Sequence, residues 1–354
     1  MSKVGLTGAQ YWVTRAVKEH PDSLARAFSS QFNVSKATAA KVIRRLVDEG
    51  WLIRHGTTRP TYEAGPSRTV FKTYPLPILH EDLVWQADFF PYLALPKNVA
   101  ELVFYCFTEM VNNATDHSEG KDVELLVTQN EKETTVSVRD DGIGIFKRIA
   151  LALNLEDIRF ALLELSKGKL TTDPERHSGE GIFFSSRMCD HFMIKANELD
   201  YFHAASSPLD ILKDQPMSGR FGTAVSMWFM HDTTRTMTEV FSKYSTDSGF
   251  AFDKTVVPVN LARIGTESLI SRSQAKRLMS RFEKFRIVAL DFENVDEIGQ
   301  AFADELFRVF ANSHPNVQLL AINDTEQIRL MSERAKNANG AIGSEQLAVN
   351  SEPS

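Results

Sequence analysis

A chain of 354 residues has room for two or three domains at roughly 100–200 residues each. Its 43% hydrophobic and 24% charged residues are those of a soluble globular protein, and no apolar run reaches the roughly 18 residues of a membrane span. Met1–Gly5 lacks a signal peptide's apolar core, and the two cysteines, Cys106 and Cys189, sit in apolar stretches; both features point to a cytoplasmic protein with reduced core thiols. The net charge of −6 hides an asymmetry: residues 1–72 carry 12 Lys/Arg against 5 Asp/Glu, the remainder 28 against 41. A basic N-terminal block on an acidic chain fits a nucleic-acid-facing module or a merely soluble basic face, and charge alone does not choose.

In chain order, residues 7–20 read as a helix with Tyr11, Val13, Ala16 and Val17 on its apolar side. Leu24, Ala25, Ala27 and Phe28 make a second short apolar face, and Phe32–Ser35 a turn ending in an N-cap serine. A third helix, Lys36–Glu49, carries Ala39, Ile43, Leu46 and Val47 on one stripe and stops at Gly50. Trp51–Arg54 and Thr61–Glu63 then form a short basic hairpin. This order, with Asn33-Val34-Ser35-Lys36-Ala37-Thr38 and Arg45-Leu46-Val47-Asp48-Glu49-Gly50-Trp51-Leu52, resembles the winged helix-turn-helix of bacterial repressors over about 60 residues. The resemblance implies double-stranded DNA as a partner, with Ser35, Lys36, Thr38, Lys41, Arg44 and Arg45 on the recognition helix and Arg54 and Arg59 on the wing. A winged helix used for protein contacts or dimerisation is the alternative.

Residues 65–98 read as a connector or the opening of the next domain. His80-Glu81-Asp82 superficially matches a phospho-acceptor box, but Pro75 and Pro77 argue against the long helix such a box needs. Residues 98–117 form a strong amphipathic helix on which Glu109, Asn112, Asn113 and Asp116 share a stripe, with Glu109 and Asn113 one turn apart. Asn113 can offer an amide oxygen to Mg2+ and Glu109 can accept a proton, although Glu and Asn on a solvated helix face are common. Val123–Thr128 and Thr134–Val138 read as strands around a turn at Asn130–Glu133, the first alternating only loosely.

The second strand runs into Asp140-Asp141-Gly142-Ile143-Gly144-Ile145. An acid closing a strand, followed by two glycines, suits close approach of the backbone to a flat ligand, with Asp140 accepting from an adenine amino group. Next, the polar stretch Ser166–Arg176 has the composition of a mobile lid. It leads to Ser178-Gly179-Glu180-Gly181-Ile182, glycines ahead of an apolar helix, Ile182–Cys189, where backbone N–H groups favour phosphate. Gly222-Thr223 enters a later strand.

These motifs resemble the GHKL superfamily of gyrase, MutL-type repair ATPases, histidine kinases and anti-sigma-factor kinases, over residues 95–230. The N box is Glu109…Asn113, the first glycine box Asp140, Gly142 and Gly144, the second Gly179-Glu180-Gly181, and Gly222-Thr223 matches the late Gly-Thr. The flavour is closest to the anti-sigma kinases. The resemblance implies ATP and Mg2+ as cofactors, Glu109 as general base, Asn113 as magnesium ligand, Asp140 as adenine anchor and Ser178–Gly181 as phosphate cradle. Asn112, Asp116, Ile145, Ile182 and Thr223 would line the nucleotide, and Lys167, Lys169 and Arg176 would be lid cations that touch phosphate or stay solvated.

Residues 255–335 alternate as strand Thr255–Val259, helix Ser271–Phe285, strand Arg286–Phe292, helix Gln300–Phe310, strand Val317–Ile322 and helix Asp324–Ala335, which predicts a mainly parallel sheet. Leu290–Val295 through Phe302–Leu306 resembles STAS-like domains, the fold of anti-sigma-factor antagonists. Antagonists are phosphorylated on Ser or Thr just ahead of this helix; here the stretch is Ile298-Gly299-Gln300-Ala301, without a hydroxyl. Asp304 and Glu305 are read as capping or solvating the helix, or as a docking surface.

The expected architecture is therefore α+β and multidomain. It has a winged helix over 1–72, a GHKL α/β sandwich (Bergerat fold) over 73–235, a STAS-like α/β domain over 250–336 and a disordered tail over 337–354. The expected function is a regulator in which Mg-ATP binding, with slow hydrolysis, controls DNA binding and a protein partner of the STAS-like domain; a homodimer is compatible with it. The alternatives are a Ser/Thr kinase of the anti-sigma type acting on a separate protein, a histidine-kinase-like enzyme, and a non-hydrolysing nucleotide sensor.

Overall fold

A computed structural model describes residues 12–13, 16–48, 50–65, 68–76, 79–171, 178–205, 207–214, 222–246, 251–265 and 267–348. The chain divides into two compact units, one of residues 1–143, 188–194 and 220–237, the other of 144–187, 195–219 and 238–354. The basic N-terminal block thus shares a unit with the Glu109–Asn113 helix, and the C-terminal sheet shares one with residues 144–187.

In the first unit, helix α1 (Leu24–Phe32) ends at Asn33, whose left-handed backbone (φ 49°) lets its N–H reach the Ser29 carbonyl. Helix α2 (Lys36–Asp48) opens at Ser35, whose Oγ accepts from the Thr38 N–H at 3.1 Å. Strands β1 (Leu52–His55) and β2 (Thr61–Ala64) pair antiparallel, Leu52 opposite Ala64. Phe28, Ile43, Leu46, Trp51 and Leu52 close one small core with Val13 and Val17. Of the expected order, the second and third helices, the turn and the hairpin are present. Of the first expected helix, over 7–20, residues 7–11, 14 and 15 lie outside the described residues.

The remainder of this unit is a sheet with one long helix. Strand β3 (Arg68–Pro75), in the region read as a connector or the opening of the next domain, pairs antiparallel with β4 (Asp122–Gln129), and β4 with β5 (Glu133–Asp140). Strands run here in the order β3-β4-β5-β9-β6, where β9 is Thr223–Met230 and β6, His191–Ala196, belongs to this unit as far as residue 194. Side chains on β4 and β5 alternate strictly between buried and half-buried once β4 is under way. Leu125 and Val127 point inward and Leu126 does not, so the continuous apolar run conceals a regular strand. Helix α3 (Lys97–His117) buries Leu102, Cys106, Met110 and Ala114 against β5 and β9. Trp85 and Phe89, in a helical stretch over 81–92, pack their rings on Phe107 at 5.0 and 5.3 Å.

The second unit opens with helices that the sequence does not announce: α4 (Ile145–Leu153) and α5 (Phe160–Lys167) precede α6 (Gly181–Met188). Strands β7 (Leu199–Ala204) and β8 (Ser207–Asp214) form an antiparallel pair, and α7 covers Met237–Lys243. The C-terminal part carries the expected parallel sheet, order β10-β11-β12, from Lys254–Pro258, Ile287–Asp291 and Gln318–Ile322. Helix α8 (Arg272–Met279) begins with a capping box, Ser271 and Gln274 each satisfying the other's backbone N–H. It stops short of the expected Phe285 because Arg281 turns left-handed (φ 66°). A helical run over 300–313 and α10 (Glu326–Ala348) complete the unit; counting the former as α9, α10 continues past residue 337, where a tail was expected. Strand β12 is the last in its sheet, and Leu320 and Ile322 are each 36% exposed.

Candidate functional site

The residues that carry the nucleotide resemblance fall into both units, and each set has its own geometry. On α3 in the first unit, Glu109, Asn112 and Asn113 are half-buried and Asp116 is exposed. Asn112 Nδ2 donates to Glu81 Oε1 at 3.4 Å, while the buried Asn113 Nδ2 has no hydrogen-bond partner. Buried polar atoms are rarely left unpaired, so this donor stands out among the described residues.

Asp140 closes β5 and is only 6% exposed. Its Oδ1 accepts from the Gly142 N–H at 2.9 Å and the Thr223 N–H at 3.1 Å. Burial pushes its pKa up, and the Gly142 and Thr223 hydrogen bonds oppose that rise. Its neighbour Asp141 shifts the other way, because the backbone N–H groups of Asp122 and Lys121 hydrogen-bond to it, at 3.1 and 2.7 Å. Gly222 makes the junction possible: at φ 104°, any Cβ there would lie 2.0 Å from the Asp140 carbonyl oxygen.

The glycines after Asp140 each have a packing reason within the protein. A Cβ on Gly142 would lie 2.0 Å from the Ser118 carbonyl oxygen, to which the Ile143 N–H donates at 3.0 Å. In the second unit, Gly144 (φ 86°) opens α4 beneath Asn197, whose Oδ1 would sit 2.3 Å from a Cβ and accepts from the Lys147 N–H at 3.0 Å. Asn197 therefore caps α4 from outside the helix. Ile145, the first residue of α4, is half-buried.

Also in the second unit, Ser178 is exposed and Gly179, Glu180, Gly181 and Ile182 are half-buried at the head of α6. Gly179 (φ 72°) accepts through its carbonyl from the Leu170 N–H at 3.1 Å. Burial raises the Glu180 pKa, against the pull of Lys169 and a Ser178 hydrogen bond. Lys169 Nζ donates to the Lys284 carbonyl at 2.8 Å and lies 4.9 Å from the Phe285 ring centre. Lys167, expected to touch phosphate or stay solvated, has no exposure and pairs with Glu164 at 2.7 Å. Burial lowers its pKa to about 8. Arg176 lies outside the described residues. The Glu164–Lys167–Arg281 cluster had no signal in the sequence, since Arg281 reaches Glu164, at 2.8 Å, from far along the chain.

On α2, Lys36, Thr38, Lys41, Arg44 and Arg45 are all exposed on the side away from Ile43 and Leu46. Ser35 is spent on the helix cap, and Arg54 braces the β1–β2 turn by donating to the Thr57 carbonyl at 2.9 Å. In the C-terminal part, Asp304 pairs with Arg308 at 2.5 Å, whereas Glu305 is buried. Gly299 is fixed by packing: its N–H donates to the Leu269 carbonyl at 2.8 Å, and a Cβ would meet Ile270 Cα at 2.8 Å.

Among the described residues, no three His, Cys, Asp or Glu side chains gather as metal ligands, and no helix is long and apolar enough to cross a membrane. No curated protein matches the chain. Residues 274–329 match the family model of a STAS-like domain of unknown function (DUF4325). The chain is a mixed α/β, multidomain protein with a STAS-like α/β domain towards its C-terminus.

Proposed function

We propose that the chain is an ATP-binding regulator of the GHKL kind, in which Mg-ATP binding, with slow hydrolysis, controls a DNA-binding winged helix and a STAS-like interaction domain. The observation that carries this reading is Asp140, a buried carboxylate at a strand end, steadied by the N–H groups of Gly142 and Thr223. It stands where the resemblance puts the adenine anchor. Asn113 adds support, because its buried Nδ2 lacks a partner; an amide flip would offer oxygen in place of nitrogen. Asn113 would hold Mg2+, which takes few protein ligands and keeps several waters, and the ion would neutralise phosphate charge. Glu109 would hold the proton of the attacking water. Ser178–Gly181, heading α6, would meet the phosphates with backbone N–H groups. The exposed cations of α2 would contact duplex phosphates and base edges.

One observation bears on a second reading, a Ser/Thr kinase acting on a separate protein: the stretch Ile298–Ala301, where the STAS-like resemblance expects a hydroxyl, has none, and packing at Gly299 leaves no room for a side chain, so a phosphoryl group would have to go to another protein. The test is calorimetry with Mg-ATP, ADP and a non-cleavable analogue on wild type, Asn113→Ala and Asp140→Asn, with free phosphate and labelled protein followed in parallel. Heat in the wild type and its loss in both variants is the expected result, and label on a partner separates kinase from ATPase. A well-folded wild type that gives no heat with any of the three overturns the reading.

A further inference from the structure

Arg281 sits where the helix expected over 271–285 breaks. Its left-handed backbone (φ 66°) is one that L side chains seldom adopt unless the surroundings over-determine it. Here the guanidinium supplies the constraint. Its Nε pairs with Glu164 at 2.8 Å, Nη1 donates to the Lys169 carbonyl at 2.9 Å, and Nη2 donates to the Glu164 carbonyl. Lys167, buried beside it, donates to the carbonyls of Arg277 at 3.2 Å and Ser280 at 3.0 Å as well as to Glu164. In the reverse direction Lys169, itself left-handed (φ 50°), reaches the Lys284 carbonyl at 2.8 Å.

Residues 164–169 are therefore gripped by residues 277–284, which lie inside the stretch that matches the STAS-like family. One residue further on, the Leu170 N–H bonds to the Gly179 carbonyl at 3.1 Å. Gly179 is so close that a Cβ on it would lie 2.4 Å from the Leu170 carbonyl carbon. The path from Arg281 to the Ser178–Gly181 loop is thus made of hydrogen bonds and backbone packing, Leu170 meeting Gly179 directly.

We propose that Arg281 is a positioning residue for the Ser178–Gly181 loop, so that the STAS-like domain sets the affinity for the nucleotide's phosphates. This rests on the reading of that loop as the phosphate site. Linkage makes the coupling reciprocal: nucleotide binding stabilises the Arg281 region by the same factor.

The experiment titrates ATP, ADP and adenosine into the full-length wild type, Arg281→Lys and Arg281→Met. ATP affinity is expected to fall by about 5–150-fold, the usual range of coupling between sites. Adenosine, which has no phosphate to place, keeps its affinity. Lysine restores only part of the ATP affinity, because a point charge cannot reproduce the forked contacts of a guanidinium. A second measurement needs no variant: hydrogen exchange on the wild type, with slower exchange over 281–291 when ATP is bound. Unchanged ATP affinity in Arg281→Met, or an equal loss of ATP and adenosine, overturns the proposal. So does unaltered exchange over 281–291 in the saturated wild type. A wild type that binds neither ATP nor ADP instead removes the nucleotide reading itself, and so is told apart from failure of the coupling.

Discussion

At Asp140 one carboxylate does two jobs, closing a strand and fixing the turn that follows. The residue was legible because D-x-G-x-G is a motif with a known mechanical sense. Why each glycine is needed was not legible, because Ser118, Asn197 and the Asp140 carbonyl come from other parts of the chain. Gly222 gives the sharpest prediction at this scale. Gly222→Ala places a methyl 2.0 Å from the Asp140 carbonyl oxygen at a φ of 104°, where L residues are strained. Its destabilisation is expected to exceed the ~1 kcal/mol typical of a tolerated backbone change. On the proposed function, the heat of ATP binding is expected to vanish with it. Urea unfolding and calorimetry check the two halves, and an alanine variant that matches wild type in both would show that the junction has slack.

Among the elements, α3, β5 and the β10–β12 series were legible from their apolar patterns, and β4 from its apolar run and the turn residues after it, although that run hid its alternation. Helix α5 was not, because all eight residues from Phe160 to Lys167 are buried and no polar face marks a period. Lys167 reads as a lid cation that touches phosphate or stays solvated, whereas it is buried against Glu164, which Arg281 also reaches. Strand β3 hid behind Pro75 and an irregular pattern that leaves Phe71 56% exposed, as an outermost strand permits. For α2, the exposed cations carry the prediction. On the proposed function, replacing Lys36, Lys41 and Arg44 with Gln is expected to weaken duplex binding on all sequences. The slope of log affinity against log salt should fall by about 0.9 for each phosphate no longer neutralised. Fluorescence anisotropy at several salt concentrations reads both effects, and an unaltered slope would assign the helix to protein contacts.

For the molecule as a whole, the parallel C-terminal sheet was foreseen, whereas the division into two compact units was not. Three sequence-defined segments became two units because packing between segments distant along the chain is invisible to local periodicity. The buried Lys167 ties stability to pH. Its pKa is lowered from 10.5 to about 8 by burial, so between those values the unfolded chain holds the proton more often than the folded one. Where the unfolded state binds more protons, stability rises with pH. This group therefore adds stability as pH climbs from about 8 towards 10.5. Urea unfolding of wild type and Lys167→Met at pH 7, 9 and 10 should show the difference moving in favour of the wild type. A difference that is flat, or moves the other way, would contradict the burial of a charged ammonium.

The outer rim of β12 has a consequence for handling the protein. Gln318–Ile322 ends its sheet with Leu320 and Ile322 partly exposed, and a bare apolar rim is a template on which further strands can add. Concentrated solutions should accordingly turn cloudy sooner than dilute ones. A lysine in place of Leu320 is expected to raise the concentration at which light scattering sets in, with the melting temperature unmoved.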